Sequence, residues 1–162
     1  MRVITITMSA KGQFVLPKSV RDIIIVIGHQ GEQIKNFFGN RWNGKTIQFA
    51  VQTELNGTVG ALWAARELLT ERFLVMMGDD LYAKADIARM LTHPWAIGGQ
   101  EILQQEVGGE ILLNSDGTFA GMNEERHLIE HGFMNTGLYM LEKEIFAYDP
   151  VMKTFLYAIA GF

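Results

Sequence analysis

An α/β fold, a three-layer sandwich around a mainly parallel sheet, is predicted by three observations. Two continuous apolar runs, DIIIVIG at 22–28 and FLVMMG at 73–78, have the composition of strands covered on both faces. Between them lie stretches with helical spacing of apolar residues, GEQIKNFFG and NGTVGALWAARELL. Strand and helix alternate along the chain, an order that right-handed crossovers turn into parallel neighbours.

Taken in order, RVITITM alternates β-branched and polar residues, the period-2 mark of a strand. SAKGQ supplies a turn, and QFVLP a second short strand stopped by Pro17. DIIIVIG follows as a buried strand. GEQIKNFFG, 31–39, predicts a short amphipathic helix with Ile34 and Phe37/Phe38 inward and Gly39 as its stop. TIQFAVQ alternates again. NGTVGALWAARELL opens on a glycine turn and becomes a helix presenting Leu62, Ala65, Leu68 and Leu69 on one face. FLVMMG is the next buried strand and AKADIARML the next helix. After Trp95 the pattern changes: EILLNSDGTFAGM predicts a hairpin turning at SDG, and FMNTGLYML one more strand. A short helical stretch around EKEIFAYD and an apolar tail, KTFLYAIAGF, close the chain.

At 162 residues the chain is the size of one domain, and 48% hydrophobic with 20% charged residues is ordinary for a soluble globular protein. A net charge of −4 argues against a grip on nucleic acid over the whole surface, which needs clustered Lys and Arg. Phosphorylated small molecules stay open, since glycine loops and helix N-termini bind them without a basic surface. The absence of cysteine excludes a disulfide framework and a thiolate zinc site. No window approaches the ~20 apolar residues of a membrane span, and MRVITITMSAKG lacks the apolar segment of a signal peptide. A cytoplasmic address is the expectation.

In parallel sheets ligands sit beyond the carboxyl ends of the strands, which is where Gly78, Asp79 and Asp80 fall. A carboxylate there can hold a hard cation such as Mg2+ that bridges phosphate oxygens. Equally, an aspartate there can cap the helix that begins within a few residues. Gly57 leaves room for a phosphate or a flat ligand to approach the backbone, and the helix after it offers N–H groups. Gln52 ends the strand before it, and an amide with donor and acceptor suits a nucleobase edge, although a solvated glutamine explains it as well. HLIEH, 127–131, has the H-x-x-E-H spacing of a zinc-protease helix, but Gly132 and a strand follow at once, so the match is treated as coincidence. His29 and His93 are expected in loops or on the surface.

The parts in this order resemble the sugar-1-phosphate nucleotidylyltransferases, the enzymes that make NDP-sugars, from Asp22 to about Asp149. DIIIVIGHQGEQIKNFFG is similar to that family's second strand and helix, and VQTELNGTVGALWAARELL to its base-binding stretch. The resemblance implies a Rossmann-like nucleotidyltransferase fold with NTP and sugar-1-phosphate as ligands. It places Gln52, Gly57 and Thr58 at the nucleotide, with Asp79 as a Mg2+ ligand and Asp80 beside it. The sugar falls to Gly109, to Glu125 in DGTFAGMNEERHL, and to Asn135 and Gly137 in FMNTGLYML. The reaction implied is Mg2+-dependent attack of a sugar-1-phosphate on an NTP with release of pyrophosphate.

Two departures stand beside it. The family opens with a strand leading into a glycine-rich phosphate loop and a lysine-bearing P-K-P segment, and nothing before Asp22 reproduces these. Its second metal-binding aspartate, well beyond the Asn-x-Gly strand, is also missing, so the resemblance implies a fold incomplete at both ends and weak turnover or none. Residues 1–21 instead resemble the swapped-hairpin module of AbrB- and MazE-type DNA-binding proteins, through Ser9, Lys11, Gly12, Gln13, Pro17 and Arg21. That resemblance implies, as the alternative function, a DNA-binding homodimer through the hairpin, although Arg2, Lys11, Lys18 and Arg21 are too few to hold nucleic acid tightly unless a dimer doubles them; a non-catalytic fusion fragment is the remaining reading. A competing reading makes SAKGQFVLPKSV an eroded glycine loop, with Lys11 and Lys18 as its catalytic basic residues. The expected division is a hairpin segment over 1–21 and a partial nucleotidyltransferase-like domain over 22–162. RVITITM is expected to fill the central slot of the lost first strand, since an empty slot would leave two rows of unpaired backbone groups.

Overall fold

The computed structural model describes residues 2–8, 16, 18–54 and 57–147, the first stretch by its backbone. The elements are β1 (Arg2–Met8), β2 (Asp22–Ile27), α1 (Gly31–Phe38), β3 (Arg41–Trp42), β4 (Lys45–Val51) and α2 (Gly57–Ala65). After them come β5 (Arg72–Gly78), α3 (Lys84–Met90), β6 (Ala96–Val107), β7 (Glu110–Leu113), β8 (Phe119–Asn123) and β9 (His127–Glu142). Short 3-10 turns extend α2 at Arg66–Leu68 and β9 at Lys143–Ala147.

Successive side chains of a strand point to opposite faces, so an uninterrupted apolar run needs a core on each side. β2 shows this directly. Ile24 and Val26 join Ala61, Leu62 and Ala65 of α2 in one core, with Phe73, Val75, Tyr139 and Leu141. Ile23, Ile25 and Ile27 join Ile87 and Met90 of α3 in the other, with Leu74, Met76, Leu138 and Met140. Ile34 and Phe38 of α1 pack on the second core. The three layers are therefore α2, the sheet, and α1 with α3.

The strand order is β3-β4-β2-β1-β5-β9-β7-β8, with β6 pairing β9 as well. β1 lies between β2 and β5 and runs parallel to both, Val3 opposite Ile23 on one side and Leu74 on the other. β2 and β4 are also parallel. Beyond β5 every pairing is antiparallel, beginning with β9.

Four findings differ from the sequence reading. Phe37 is 81% exposed rather than inward: on a helix of eight residues only Ile34 and Phe38 reach the sheet, and Phe37 meets Phe38 edge-on. β3 and β4 form a hairpin across Asn43-Gly44, both at positive φ (47° and 77°), the asparagine–glycine turn that suits a two-residue loop. β6 is twelve residues long and leaves no alternating pattern, because Gln100, Glu101, Gln104, Gln105 and Glu106 are all exposed, neighbours on both faces among them. β9 is sixteen residues long and takes in HLIEH as a strand, so the two histidines are not on a helix. The predicted QFVLP strand falls outside the described residues except for Leu16, which is buried in the second core with Val20. The predicted tail KTFLYAIAGF also lies outside them.

Ile24→Ala, at a fully buried position, is expected to lower the free energy of unfolding by about 2–5 kcal/mol in urea denaturation. Phe37→Ser should change it by no more than about 0.5 kcal/mol.

Candidate functional site

Because β1, β2, β4 and β5 run the same way, their ends share one edge, marked by Met8, Ile27, Val51 and Gly78. Gln52 leaves that edge after β4, and Asp79 and Asp80 leave it after β5. Lys11 follows β1 but lies outside the described residues.

Asp79 and Asp80 are both exposed. Neither caps the next helix, since α3 starts from Ala83 with no side-chain cap bond. Asp79 has no hydrogen bond or ion pair among the described residues. Asp80 stands 3.4 Å from the hydroxyl of Tyr82, which accepts from the Met77 N–H at 3.2 Å and lies 2.9 Å from the Thr136 carbonyl. A phenol has one proton to give, and the shorter contact takes it. Burial pushes the Tyr82 hydroxyl above the usual phenol range, and the Asp80 charge adds to that, so it remains a donor.

The hydrogen bonds continue from Thr136 into the sugar residues that the sequence suggested. Asn135 accepts from the Gly137 N–H through Oδ1 at 3.0 Å and donates from Nδ2 to the Tyr139 hydroxyl at 2.7 Å. Its own N–H donates to the Gly109 carbonyl at 2.8 Å, and the Gly109 N–H donates to the Asn123 carbonyl at 2.9 Å. Asn123 Oδ1 in turn accepts the N–H of Glu125, whose side chain is exposed, at 3.1 Å. Gly137 has φ of +69°, and a Cβ there would run into Met77 Cγ. Asn135, Gly137, Gly109 and Glu125 thus belong to one hydrogen-bonded set, which Thr136, next to Asn135 in the chain, joins to Tyr82, with Asp80 close by.

Gln52, Gly57 and Thr58 form a second set. Gln52 donates from its backbone to Ile27 at 2.8 Å and from Nε2 to the Gly57 carbonyl at 3.0 Å. Gly57, at φ +87°, opens α2, and a Cβ added there would meet nothing within 4 Å. Three strand spacings separate the ends of β4 and β5, a gap of about 14 Å.

Lys18 is not brought to this edge. It is exposed and borders a hollow of about 450 Å³ with Asp22, Lys45 and Thr46, at the starts of β2 and β4. By residue 18 the chain has returned to the amino ends of the strands, and a six-residue strand separates that edge from Asp79 by about 20 Å. A cavity of about 500 Å³ lies between α3 and the β6–β9 pair and is lined by Asp80, Tyr82, Arg89, Gln100, Asn135 and Thr136 among others. Of the sequence-predicted residues only Asp80 and Asn135 line it.

Among the described residues no group of three or more His, Asp or Glu side chains could hold a metal ion. The donors present nevertheless suit Mg2+, which is usually held by one or two carboxylates together with substrate phosphates. Asp79 and Asp80 offer that set. Sequence reasoning missed Tyr82, Asn123 and His127; a tyrosine two residues beyond an acidic pair carries no signal until the fold brings Thr136 beside it.

Four parallel strands with crossover helices, an antiparallel extension and an acidic strand end at the carboxyl edge make an α/β fold of the kind that binds ligands beyond the carboxyl ends of its strands. The family described as Nucleotidyl transferase matches residues 2–105, more than half of the chain, and the chain belongs to that family. The match takes in the stretch that resembles the AbrB-type module. Over 127 residues the chain is 26% identical to the bifunctional protein GlmU of Methanocaldococcus jannaschii, covering 78% of this chain and 30% of that one. It is 24% identical over 144 residues to the D-glycero-alpha-D-manno-heptose 1-phosphate guanylyltransferase of Aneurinibacillus thermoaerophilus, covering 85% and 62% respectively. The solved structure of HddC from Yersinia pseudotuberculosis complexed with GMP-PN has a TM-score of 0.68 at 20% identity, covering 92% of this chain and 80% of that one. The chain spans less than two thirds of the length of either curated relative.

Tyr82→Phe leaves the Met77 N–H and the Thr136 carbonyl without their partner and is expected to cost about 1–3 kcal/mol of stability. Gly137→Ala should cost at least as much, because it adds a collision with Met77 to a left-handed backbone; denaturant titration of both variants checks the order.

Proposed function

We propose that the chain carries the catalytic core of a sugar-1-phosphate nucleotidylyltransferase. Its reaction joins an NTP and a sugar-1-phosphate into an NDP-sugar with release of pyrophosphate. A phosphate oxygen of the sugar-1-phosphate attacks the α-phosphorus, and the bond from that phosphorus to the bridging oxygen of pyrophosphate breaks. The observation that carries this reading is Asp79, a carboxylate with no described partner, at the end of β5 and beside the set that runs through Tyr82 to Asn135, Gly109 and Glu125.

In this reading the nucleobase lies at Gln52, Gly57 and Thr58, where a glycine with open space above it lets a flat ring approach. Asp79, with Asp80 beside it, would hold Mg2+. When bound, the ion neutralises charge on the phosphates. Positioning of the two reactants across the strand edge is then the chain's main contribution. The sugar hydroxyls fall to Glu125 and Asn135. Lys11 is the basic residue assigned to the departing pyrophosphate, whereas Lys18 has no part in the reaction. With SAKGQFVLPK where the family has its glycine-rich loop, turnover is expected to be slow.

A panel of NTPs in a thermal-shift assay tests the reading. At least one NTP with Mg2+ should raise the melting temperature, since a ligand at a hundredfold excess over its dissociation constant adds about 2.7 kcal/mol to the folded state. Asp79→Asn should remove the Mg2+-dependent part of that rise. No response to any NTP would overturn the proposal, and an undiminished response in Asp79→Asn would take the metal away from Asp79.

A further inference from the structure

We propose that His127 is a positioning residue for the sugar half of the site: as an imidazolium it ties the backbone of Glu125 to β7, and sugar-phosphate binding weakens when the ring loses its proton. This rests on the sugar role assigned to Glu125 above.

The side chain of Glu125 is exposed, so its direction is set by its backbone. That backbone is held at both polar groups by side chains. Its N–H donates to Asn123 Oδ1 at 3.1 Å, and its carbonyl accepts from His127 Nδ1 at 2.8 Å. The other ring nitrogen, Nε2, lies 2.9 Å from Oε2 of Glu110, the residue that follows Gly109. The ring therefore bridges the Glu125 turn and the strand beside the Asn135–Gly109 bond.

Counting protons decides the state of the ring. A neutral imidazole has one N–H and one lone pair, yet both nitrogens here face acceptors, a carbonyl and a carboxylate. Both contacts are satisfied only when both nitrogens carry hydrogen. The charged groups facing the ring are Glu110 from β7 and Glu125 from its own segment, while β6 presents Val107 opposite it in the strand register. The Glu125 carbonyl first, and Glu110 second, hold the imidazole above the usual histidine range. A raised value in the folded state means that the clamp is complete below about pH 6.5 and is lost as pH climbs through the folded value.

Two glycines make room for the arrangement. A Cβ at Gly132 would lie 3.1 Å from Glu110 Oε1 and 2.9 Å from Ile129 Cγ2, so a larger residue there would press on the carboxylate that the ring needs. A Cβ at Gly108 would lie 2.9 Å from the Glu124 carbonyl, which fixes the turn against the start of β7.

The test has two arms. The side-chain NMR titration of His127 in the ligand-free protein should give a midpoint above that of free histidine, and Glu110→Gln should bring it down. Calorimetry with a panel of hexose 1-phosphates between about pH 5 and 9 should show wild-type affinity falling about tenfold through that midpoint. His127→Gln, which cannot titrate, should keep only the ligand's own, shallower dependence. An unshifted midpoint overturns the clamp whatever the ligand. A shifted midpoint with superimposable affinity profiles in wild type and His127→Gln overturns the positioning role. A shifted midpoint with no hexose 1-phosphate bound at any pH sinks the sugar reading of Glu125, and this role with it.

Discussion

The pairing of β1 on both sides is the constraint on which the rest of the molecule depends. A strand at the centre of a sheet satisfies two rows of backbone donors and acceptors at once, and leaving them unpaired in a core costs more than most single side chains return. With β1 parallel to β2 and β5, three crossovers must place their loops at the same edge. That shared edge is why residues as far apart in sequence as Gln52 and Asp79 emerge on one side of the sheet. The apolar runs of β2 and β5 follow from the same fact, since strands flanking the centre are covered on both faces.

The sheet has two halves with different tasks. The parallel half supplies the edge where Gln52 and Asp79 emerge. The antiparallel half, β6 to β9, supplies Gly109, Glu125, Asn135 and Gly137, all from turns or from the stretch of β9 nearest that edge. Among the contacts that join them are the register of β5 against β9, from Arg72 opposite Glu142 to Val75 opposite Tyr139, and the Tyr82 hydroxyl on Thr136. Gly137 lets the two halves approach, because its missing Cβ leaves space for Met77 next to the strand end that carries Asp79.

Much of this was legible in the residues. The buried strands at 22–28 and 73–78, the helices between and after them, and the acidic strand end could be read because burial on two faces and helical periodicity leave strong marks. β6 and the outer part of β9 could not. A long two-stranded ribbon exposed on one side tolerates charged and polar residues at many positions, so its alternation fades. The Asn43-Gly44 turn carries a hairpin signal of its own, but the strand before it, Arg41–Trp42, is only two residues long and too short to show an alternation. Tyr82 and His127 belong to another class. Their partners, Thr136 and Glu110, are 54 and 17 residues away in sequence; the register of β9 against β5 brings Thr136 to Tyr82, and the pairing of Glu110 with Asn123 across β7 and β8 brings Glu110 to the turn that ends at His127.

The charge at the strand edge sets what any phosphate ligand must bring with it. Asp79 and Asp80 are adjacent and exposed, and the guanidinium among the residues of the nearby cavity, Arg89, shares its walls with Asp80 and Asp86. A polyphosphate approaching two carboxylates is repelled, by about 1 kcal/mol per pair of charges at 4 Å even in bulk water and by more where solvent is displaced. In the proposed function a divalent cation reverses the sign of the interaction, turning the same carboxylates from a barrier into a seat. Nucleotide and metal should therefore bind as one thermodynamic unit, each strengthening the other by the same factor.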